Sequence, residues 1–399
     1  FFEFTVSLTI SAAQVDALIA NPSSISGYSA SGPIIISGAI TFSQANSLNA
    51  VDATYIQATI SSATVQELSG IAVNNSSRAA LNKFTIVVSD TSATAAELNA
   101  VQALTSIAVD ASNISATNST GVEASPSSDI TTLITGTVPT GVSTAKISVN
   151  DTTINAGTLK TIDSFTTGTV TTTATKIEGT AADLHAVVDG GITHSDKVPM
   201  TVSDTTFAAA DLIAVDALTS GLITVSANGM TGNIDDIGTV YSAASTAITG
   251  TAALNLTVDA KSGVNPTVAN VVTAIGHTTG TVTATIRSSL NALTDFATIT
   301  GTGHVLTIEP LDDTTVAAAA LKALDGKITT PISFANAGGV SGAVPAITAT
   351  SYEDLIAIFN SSSISGISTS SVTLTVDTIS VAEANILNSK TSGVITATI

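Results

Sequence analysis

Acidic side chains are the most numerous groups in this sequence that could do chemistry. The 399 residues include 30 Asp and Glu but only 11 Lys and Arg, which gives a formal net charge of −19. Such a charge repels the phosphate backbone of nucleic acids and attracts cations. Nucleic acid is therefore not expected as a partner, and calcium is the metal ion that the composition favours.

Two pairs of neighbouring aspartates offer oxygen ligands of the kind that calcium prefers. These candidate ligands are Asp235, Asp236, Asp312 and Asp313. The sequence contains neither an EF-hand loop nor the GGxGxD nonapeptide, and aspartate at turns and helix starts has ordinary structural uses. Calcium thus stays open as a ligand beside helix capping and turn formation, and no other cofactor is predicted.

Groups for acid–base or nucleophilic catalysis do not form a recognisable motif. The histidines lack HExxH or HxH spacing, and cysteine is absent, so neither a zinc site nor thiolate chemistry is predicted. No GxSxG elbow marks a nucleophilic serine. The glycines of Gly301-Thr302-Gly303 lack the third glycine of a phosphate loop, which favours a turn. The sequence predicts no catalytic residue and no enzyme; its isolated histidines are His185, His194, His277 and His304.

The composition indicates a folded chain with a core of small aliphatic side chains. Hydrophobic residues make up 44% of the sequence, aromatic residues only 4%, and tryptophan is absent, so Val, Ile, Leu and Ala have to fill the core. No apolar run reaches the roughly 18 residues of a membrane helix, and none is predicted. The sequence opens on Phe1-Phe2-Glu3-Phe4 without the basic and apolar regions of a signal peptide, which is typical of a mature or internal fragment.

The elements that must position these side chains repeat along the sequence. Aspartates that end a strand-like run recur at intervals of 53 to 64 residues, at Asp90, Asp151, Asp204, Asp259, Asp313 and Asp377. The stretch Thr201–Ala227 shows the pattern, with an alternating run, a turn or helix start at Asp204, leucines and valine at helical spacing, and a second alternating run. It therefore predicts strand, helix and strand.

Helical spacing and helix-start signals recur in the other copies. The predicted helix cores are Leu98, Val101 and Leu104; Leu159, Ile162 and Phe165; Leu212, Val215 and Leu218; and Leu321 and Leu324. Capping boxes are predicted at Ser11/Gln14, Thr64/Glu67, Thr94/Glu97, Thr350/Glu353 and Ser380/Glu383, with Thr180/Asp183 as a close variant. Threonines in Thr-x-Thr strands, for example in TVTATI from Thr281, are expected to form ladders on one sheet face.

A second, weaker helix lies between the repeated aspartates, as in TGNIDDIGTV from Thr231 and RSSLNALTDF from Arg287. Each period therefore contains two strand–helix units of about 27 residues, a length that solenoid repeats use. The predicted fold class is α/β, a solenoid of strand–helix coils with stacked parallel sheets. One continuous solenoid is predicted over residues 1–399, with an irregular part at 1–84, regular repeats at 85–399, and insertions at 113–128 and 336–345.

The stretches TVSDTTFAAADLIAVDALTSGLITVSA and IEGTAADLHAVVDGG resemble repeats of giant secreted cell-surface proteins of bacteria, notably of marine cyanobacteria. The resemblance implies an extracellular structural, adhesive or motility-related role, and it brings no functional residues with it. The expected function is a non-enzymatic structural protein of the cell surface, a subunit or segment of a fibre, filament or layer. Its expected partners are further copies or neighbouring repeats of a longer chain.

Two other classes of function remain open at this point. The first is an adhesin, or a glycan- or ice-binding solenoid, that uses threonine-lined or acidic faces, with or without calcium, and has cell-surface glycans as partners. The second is an enzyme of the polysaccharide-lyase kind, which rests on fold analogy alone.

Overall fold

The computed structural model describes residues 7–72, 80–115, 119–244, 247–288, 298–310, 315–326, 332–334 and 346–399. Within these ranges the chain is an α/β protein in which short strands alternate with helices. The strands form several parallel sheets, and no sheet of the described residues closes into a barrel. The chain divides into two compact units, residues 1–179 with 186–199 and residues 180–185 with 200–399, and the boundary falls within one helix.

Unit 1 contains short strands that pair in parallel and helices that follow them. Its strands are β1 Leu8–Ser11, β2 Ile34–Ile40, β3 Ile56–Ile60, β4 Lys83–Thr85, β5 Ser92–Ala93, β6 Gly121–Ser125, β7 Ile147–Val149, β8 Thr153–Asn155, β9 Val170–Thr172 and β10 Lys176–Gly179. Its helices are α1 Val15–Ala20, α2 Phe42–Leu48, α3 Val65–Leu68, α4 Ala95–Gln102, α5 Ser127–Thr135 and α6 Ala156–Phe165, and α7 Ala181–Asp189 spans the boundary. The pairing orders are β1-β2-β3-β4, β5-β6-β7-β9 and β8-β10.

Unit 2 follows the same plan with longer runs of paired strands. Its strands are β11 Met200–Val202, β12 Thr206–Ala208, β13 Ile223–Val225, β14 Gly229–Gly232, β15 Ile248–Thr249, β16 Asn255–Val258, β17 Val282–Ser288, β18 Val305–Pro310, β19 Val316–Ala317, β20 Ile332–Ser333, β21 Ile347–Ala349, β22 Ile364–Ser365, β23 Val372–Thr378 and β24 Ile395–Thr398. Its helices are α8 Ala209–Leu218, α9 Ile234–Ala243, α10 Val268–His277, α11 Ala318–Asp325, α12 Tyr352–Asn360 and α13 Val381–Lys390. The pairing orders are β11-β13-β15, β12-β14-β16-β17-β18, β19-β21-β23-β24 and β20-β22.

The recurring local pattern has one more strand than the sequence suggested. Between Val202 and the helix α8, the turn at Asp204 leads into the short strand β12, and the helix begins only at Ala209. The same order of strand, turn, strand and helix occurs at β7, β8 and α6. We use the word segment for one or two such strands and the helix that follows them. Of the two alternatives expected at Asp204, a turn or a helix start, the structure has the turn.

Successive segments place equivalent residues side by side. Met200 lies beside Ile223, and Leu256 lies beside Val282, so the chain returns to the same register after 23 and 26 residues. In β11 and β13 the terminal residues point into the core and the central threonine is half-buried. Burying one such aliphatic side chain stabilises the fold by about 1.5–3 kcal/mol.

Most of the predicted helix-core residues are buried. The first two residues of every predicted set are at most 1% exposed, and Leu104 is 3% exposed. Leu218 is 48% exposed because α8 ends at this residue, and this part of the prediction is wrong. The helix expected from Arg287 lies largely outside the described residues; Val282–Ser288 is strand β17.

The helix-start signals were read correctly at most positions. Both hydrogen bonds of the capping box form at Thr64/Glu67, Thr94/Glu97 and Ser380/Glu383. At Ser11/Gln14 the Gln14 side-chain oxygen accepts the N–H of Ser11 at 3.0 Å. The box predicted at Thr350/Glu353 is displaced by one residue, because the hydroxyl of Ser351 accepts the N–H of Asp354.

The expected insertion at 113–128 is partly regular structure. Its residues 121–125 form β6, which pairs with β5 and β7, and Pro126 precedes the first residue of α5. The expectation of an aperiodic surface segment is corrected for these residues. The second expected insertion, 336–345, lies outside the described residues. The single continuous solenoid over 1–399 stays a prediction.

Candidate functional site

The two described calcium candidates lie in the first turn of α9, and both are already used within the protein. The Asn233 side-chain oxygen accepts hydrogen bonds from the N–H groups of Asp235 (3.0 Å) and Asp236 (3.2 Å). The Asn233 amide donates to the Asp236 carboxylate at 2.6 Å. The Asp235 carboxylate forms an ion pair with the ammonium group of Lys261. This geometry is that of a capped helix start.

The other two candidates, Asp312 and Asp313, lie outside the described residues. Within the described ranges, no cluster of three or more His, Asp or Glu side chains is arranged to hold a metal ion.

Four of the six repeated aspartates cap helices, and the helix that each one caps belongs to the preceding segment. Each of these four carboxylates accepts a hydrogen bond from the N–H of the first residue of that helix. The bonds are Val65 to Asp90 (2.7 Å), Ser127 to Asp151 (2.7 Å), Ala181 to Asp204 (2.6 Å) and Tyr352 to Asp377 (3.3 Å). The first N–H groups of a helix have no partner within the helix, so these carboxylates satisfy a bond that α-helical geometry leaves open.

A buried or half-buried threonine joins successive segments at the other end of the helix. Its hydroxyl donates to a backbone carbonyl of the previous segment and accepts from the N–H two residues further on. For Thr278 these partners are Leu254, at 2.6 Å, and Gly280, at 2.9 Å. The same pair of bonds forms at Thr166, with Ala145 and Gly168, and at Thr391, with Ser370 and Gly393. The Thr-x-Gly sequence is thus a connector between segments.

The four histidines are separate from one another and have structural surroundings. His304 is 4% exposed; its Nδ1 accepts from the Val282 N–H at 3.1 Å, and its Nε2 donates to the Thr300 carbonyl at 3.0 Å. The ring of His277 stacks on Tyr241 with 4.8 Å between the ring centroids. The Nδ1 atom of His185 lies 3.8 Å from Asp211, and that of His194 lies 3.1 Å from the Ser195 carbonyl oxygen.

The threonines of the strands form ladders in both units, as their alternation predicts. In unit 2 the ladders are Thr201, Thr224 and Thr249; Thr231, Thr257 and Thr283; and Thr348, Thr373 and Thr396. Seven of these nine side chains are half-buried, and those of Thr249 and Thr396 are exposed. Strand pairing sets neighbouring threonines about 4.8 Å apart.

A cleft in unit 2 was not foreseen from the sequence. Its volume is about 400 Å³, and its walls are the first turns of α9 and α10 and the connection between β16 and α10. A second cleft of about 250 Å³ lies on the threonine-bearing side of the same connection, and both clefts are lined by Asp259, Asn265 and Pro266. In the sequence, the cleft is indicated only by the connection Asp259–Thr267, which is longer than the equivalent connections of the other repeats and contains Asn and Gly.

Comparison with known proteins does not assign a function to this site. No protein-family model, curated protein or solved structure matches the chain. Among the described residues, no helix combines the length and the apolar character that a membrane crossing requires.

Proposed function

We propose that this chain is a non-enzymatic structural protein of the cell exterior, a subunit or segment of a surface fibre, filament or layer. In this proposal the segments are solenoid coils of about 27 residues, and assembly extends the stack of coils. The observation that supports this proposal best is that the repeated polar residues form hydrogen bonds between successive segments. The recurring aspartates and threonines, which a binding protein would turn outward, bond one segment to the next.

The last described helix and strand present a face suited to further stacking. Strand β24 is at the edge of its sheet, and only Leu387 is buried in α13. Four apolar residues of this part are exposed: Val381 (63%), Ile386 (45%), Val394 (72%) and Ile399 (68%). An open strand edge beside exposed apolar side chains is a typical interaction surface. We propose that another coil, from a further copy or from neighbouring repeats, covers it.

The test is the assembly state of the purified chain. Sedimentation velocity and negative-stain electron microscopy are expected to show linear assemblies that lengthen with concentration. Ile386→Lys places a charge on the proposed stacking face and is expected to shift the chain to monomers. Leu222→Lys is the matched control, because Leu222 is equally exposed (47%) but lies beside β13. A wild-type chain that stays monomeric at high concentration contradicts stacking between copies.

A second candidate is an adhesin, or a glycan- or ice-binding solenoid, and one observation favours it. The ladder Thr231, Thr257 and Thr283 presents regularly spaced, partly exposed hydroxyl groups on one sheet. An ice-binding face is expected to produce thermal hysteresis, and a calcium-dependent adhesin is expected to bind cells in a manner that EDTA abolishes. Thermal hysteresis that disappears in Thr257→Lys would replace the structural proposal by this one.

A further inference from the structure

The connection between β16 and α10 departs from the pattern of its neighbours. In the described segments of unit 2 where a strand leads directly into a helix, zero to two residues separate them, whereas β16 and α10 are separated by Asp259–Thr267. These residues form a tight hairpin in which Lys261 and Val264 exchange two backbone hydrogen bonds, of 3.0 and 2.9 Å. Its tip has positive φ at Ser262 (51°) and Gly263 (80°). A local exception in an otherwise regular fold marks a place where function is to be sought.

The hairpin is fixed to the helices on both sides of it. The ammonium group of Lys261 pairs with Asp235 in the first turn of α9. The N–H of Asp259 donates to the Gly232 carbonyl at 2.8 Å, and Thr267 forms a capping box with Asn270 at the start of α10. The walls of the 400 Å³ cleft are therefore set before any ligand enters, which lowers the entropic cost of binding.

The lining combines apolar surface with uncommitted polar groups. Ile234, Val264 and Pro266 contribute apolar walls, and Val264 is 69% exposed. Asp259 and Asn265 also line the cleft, and within the described residues their side chains make no hydrogen bond. Apolar walls with a few convergent polar groups are typical of small-molecule sites.

The charges of the lining restrict the class of ligand. Its one cation, Lys261, is already paired, and the carboxylates of Asp235 and Asp259 repel anions such as phosphate. An uncharged molecule with many hydroxyl groups fits this lining. Its hydroxyls donate to the Asp259 carboxylate and accept from the Asn265 amide, while its C–H faces pack on Val264 and Pro266. We propose that the cleft beside the hairpin Asp259–Thr267 binds a neutral saccharide of one or two rings, an activity beyond the structural role.

The test is saturation-transfer NMR on the full chain with maltose, cellobiose, lactose and N,N′-diacetylchitobiose. At least one of these sugars is expected to receive saturation. The double variant Asp259→Ala, Asn265→Ala is expected to weaken its binding at least tenfold, because both hydroxyl partners are removed. Asp216→Ala, which removes a carboxylate from α8 in the same unit, is the control and is expected to bind as the wild type does.

Two results would overturn this proposal: no saturation transfer to any of the four sugars, or equal binding by the double variant and the wild type. Thermal melting of each variant shows whether the fold is retained. If the double variant unfolds, Val264→Ser decides the question, since it changes an exposed side chain of the cleft wall and is expected to weaken binding at least threefold. Unchanged binding by that variant would also reject the site.

Discussion

Asp204 shows how one side chain can serve two segments of the chain. The residue lies in the turn between β11 and β12, and its carboxylate accepts the N–H of Ala181, the first residue of α7, at 2.6 Å. A sequence window around Asp204 predicts a turn or a helix start there and does not reveal the hydrogen-bond partner, which lies 23 residues earlier. The residue type was thus predictable, but the helix that it caps was not.

Replacing this cap is expected to destabilise the protein. Asp204→Ala removes the acceptor of the Ala181 N–H and is expected to lower the free energy of unfolding by about 1 kcal/mol, within the usual range of 0.5–2 kcal/mol. Denaturant titration followed by circular dichroism measures the change. Asp216→Ala, on α8, has no such bond among those described and is expected to leave stability unchanged or to raise it slightly. Equal losses in the two variants would show that Asp204 acts only through its charge.

The hydroxyl groups of Thr391 and Ser370 allow a second test, of individual hydrogen bonds. The Thr391 hydroxyl donates to the Ser370 carbonyl at 2.6 Å and accepts the Gly393 N–H at 3.0 Å, whereas the buried hydroxyl of Ser370 has no hydrogen-bond partner among the described residues. Thr391→Val is expected to cost about 1–3 kcal/mol, because the carbonyl of the buried Ser370 and the N–H of the half-buried Gly393 both lose their partner.

Ser370→Ala is expected to have the opposite sign. It removes an unsatisfied polar atom, so stability is expected to stay the same or to rise by up to about 1 kcal/mol. The same denaturant titration measures both variants. A marked loss of stability in Ser370→Ala would show that its hydroxyl has a partner in solution.

The connection from helix to strand depends on a close approach of two backbones. At Gly280, which follows α10, a Cβ atom would overlap the carbonyl oxygen of Leu254 in the previous segment, and Gly168 and Gly393 occupy the equivalent place beside Ala145 and Ser370. The spacing of segments in the sheet therefore requires glycine here. Because Gly and Thr stand at fixed positions in this connector, the sequence displays it as a repeated Thr-x-Gly.

Substitutions at two glycines of one segment distinguish the need for close backbone approach from the effect of glycine on helix propensity. Gly280→Ala is expected to destabilise the protein by about 1–3 kcal/mol or more, since the backbone has to shift to admit the methyl group. Gly276→Ala, inside α10 with no atom of the described residues within 4 Å of the added Cβ, is expected to stabilise it by about 0.5–1 kcal/mol. Thermal melting of both variants provides the comparison, and destabilisation by Gly276→Ala would contradict the packing described for α10.

An ion pair between helices α11 and α12 gives a prediction for pH. The hydrogen bond from Lys322, at 2.8 Å, is the largest cause that holds the pKa of Asp354 below its ordinary value, and the same bond raises the pKa of Lys322. Because the pKa of Asp354 is lowered, the ion pair stabilises the fold above about pH 3.9, the ordinary pKa of Asp, and this stabilisation is lost as the pH falls through the folded-state pKa. Because the pKa of Lys322 is raised, the stabilisation is lost again as the pH rises from about 10.4, the ordinary pKa of Lys, through the folded-state pKa.

The variant Lys322→Met removes the ion pair, and with it both the acidic and the basic part of this pH dependence of stability. Its melting temperature is expected to fall less than that of the wild type between pH 7 and pH 3, because Asp354 then lacks the ammonium group that lowered its pKa. Melting curves recorded by circular dichroism across this range make the comparison. Parallel curves for the two proteins would show that the exposed Lys322 contributes nothing in solution.

At the level of elements, local signals predicted the helices better than the strands. Helices α4, α6 and α8 were found from the spacing of leucine, isoleucine and valine, but only the start of α4 was found from its capping residues, Thr94 and Glu97. The strands β8 and β12 were missed because each has three residues and leads directly into its helix. Strands this short are defined by the neighbour with which they pair, and a single sequence does not display that neighbour.

For the whole molecule, the α/β class and the parallel pairing followed from the repeat, since consecutive strands joined through helices have to run in one direction. The cleft beside Asp259–Thr267 did not follow, because the repeat directs attention to what its copies share and the cleft exists where one copy differs. The loss of periodicity at 113–128 misled for the same reason, since the irregular strand β6 carries Ser125 where its neighbour β7 carries Val149.

The aspartate caps also affect when each helix can be completed during synthesis of the chain. Ala181 precedes its cap Asp204 by 23 residues, and Val65 precedes Asp90 by 25. At a synthesis rate of 5–20 residues per second, each of these helices waits about one to five seconds for the carboxylate that completes its first turn. During synthesis the cap of each of these helices is therefore completed only after the following segment has been added to the chain.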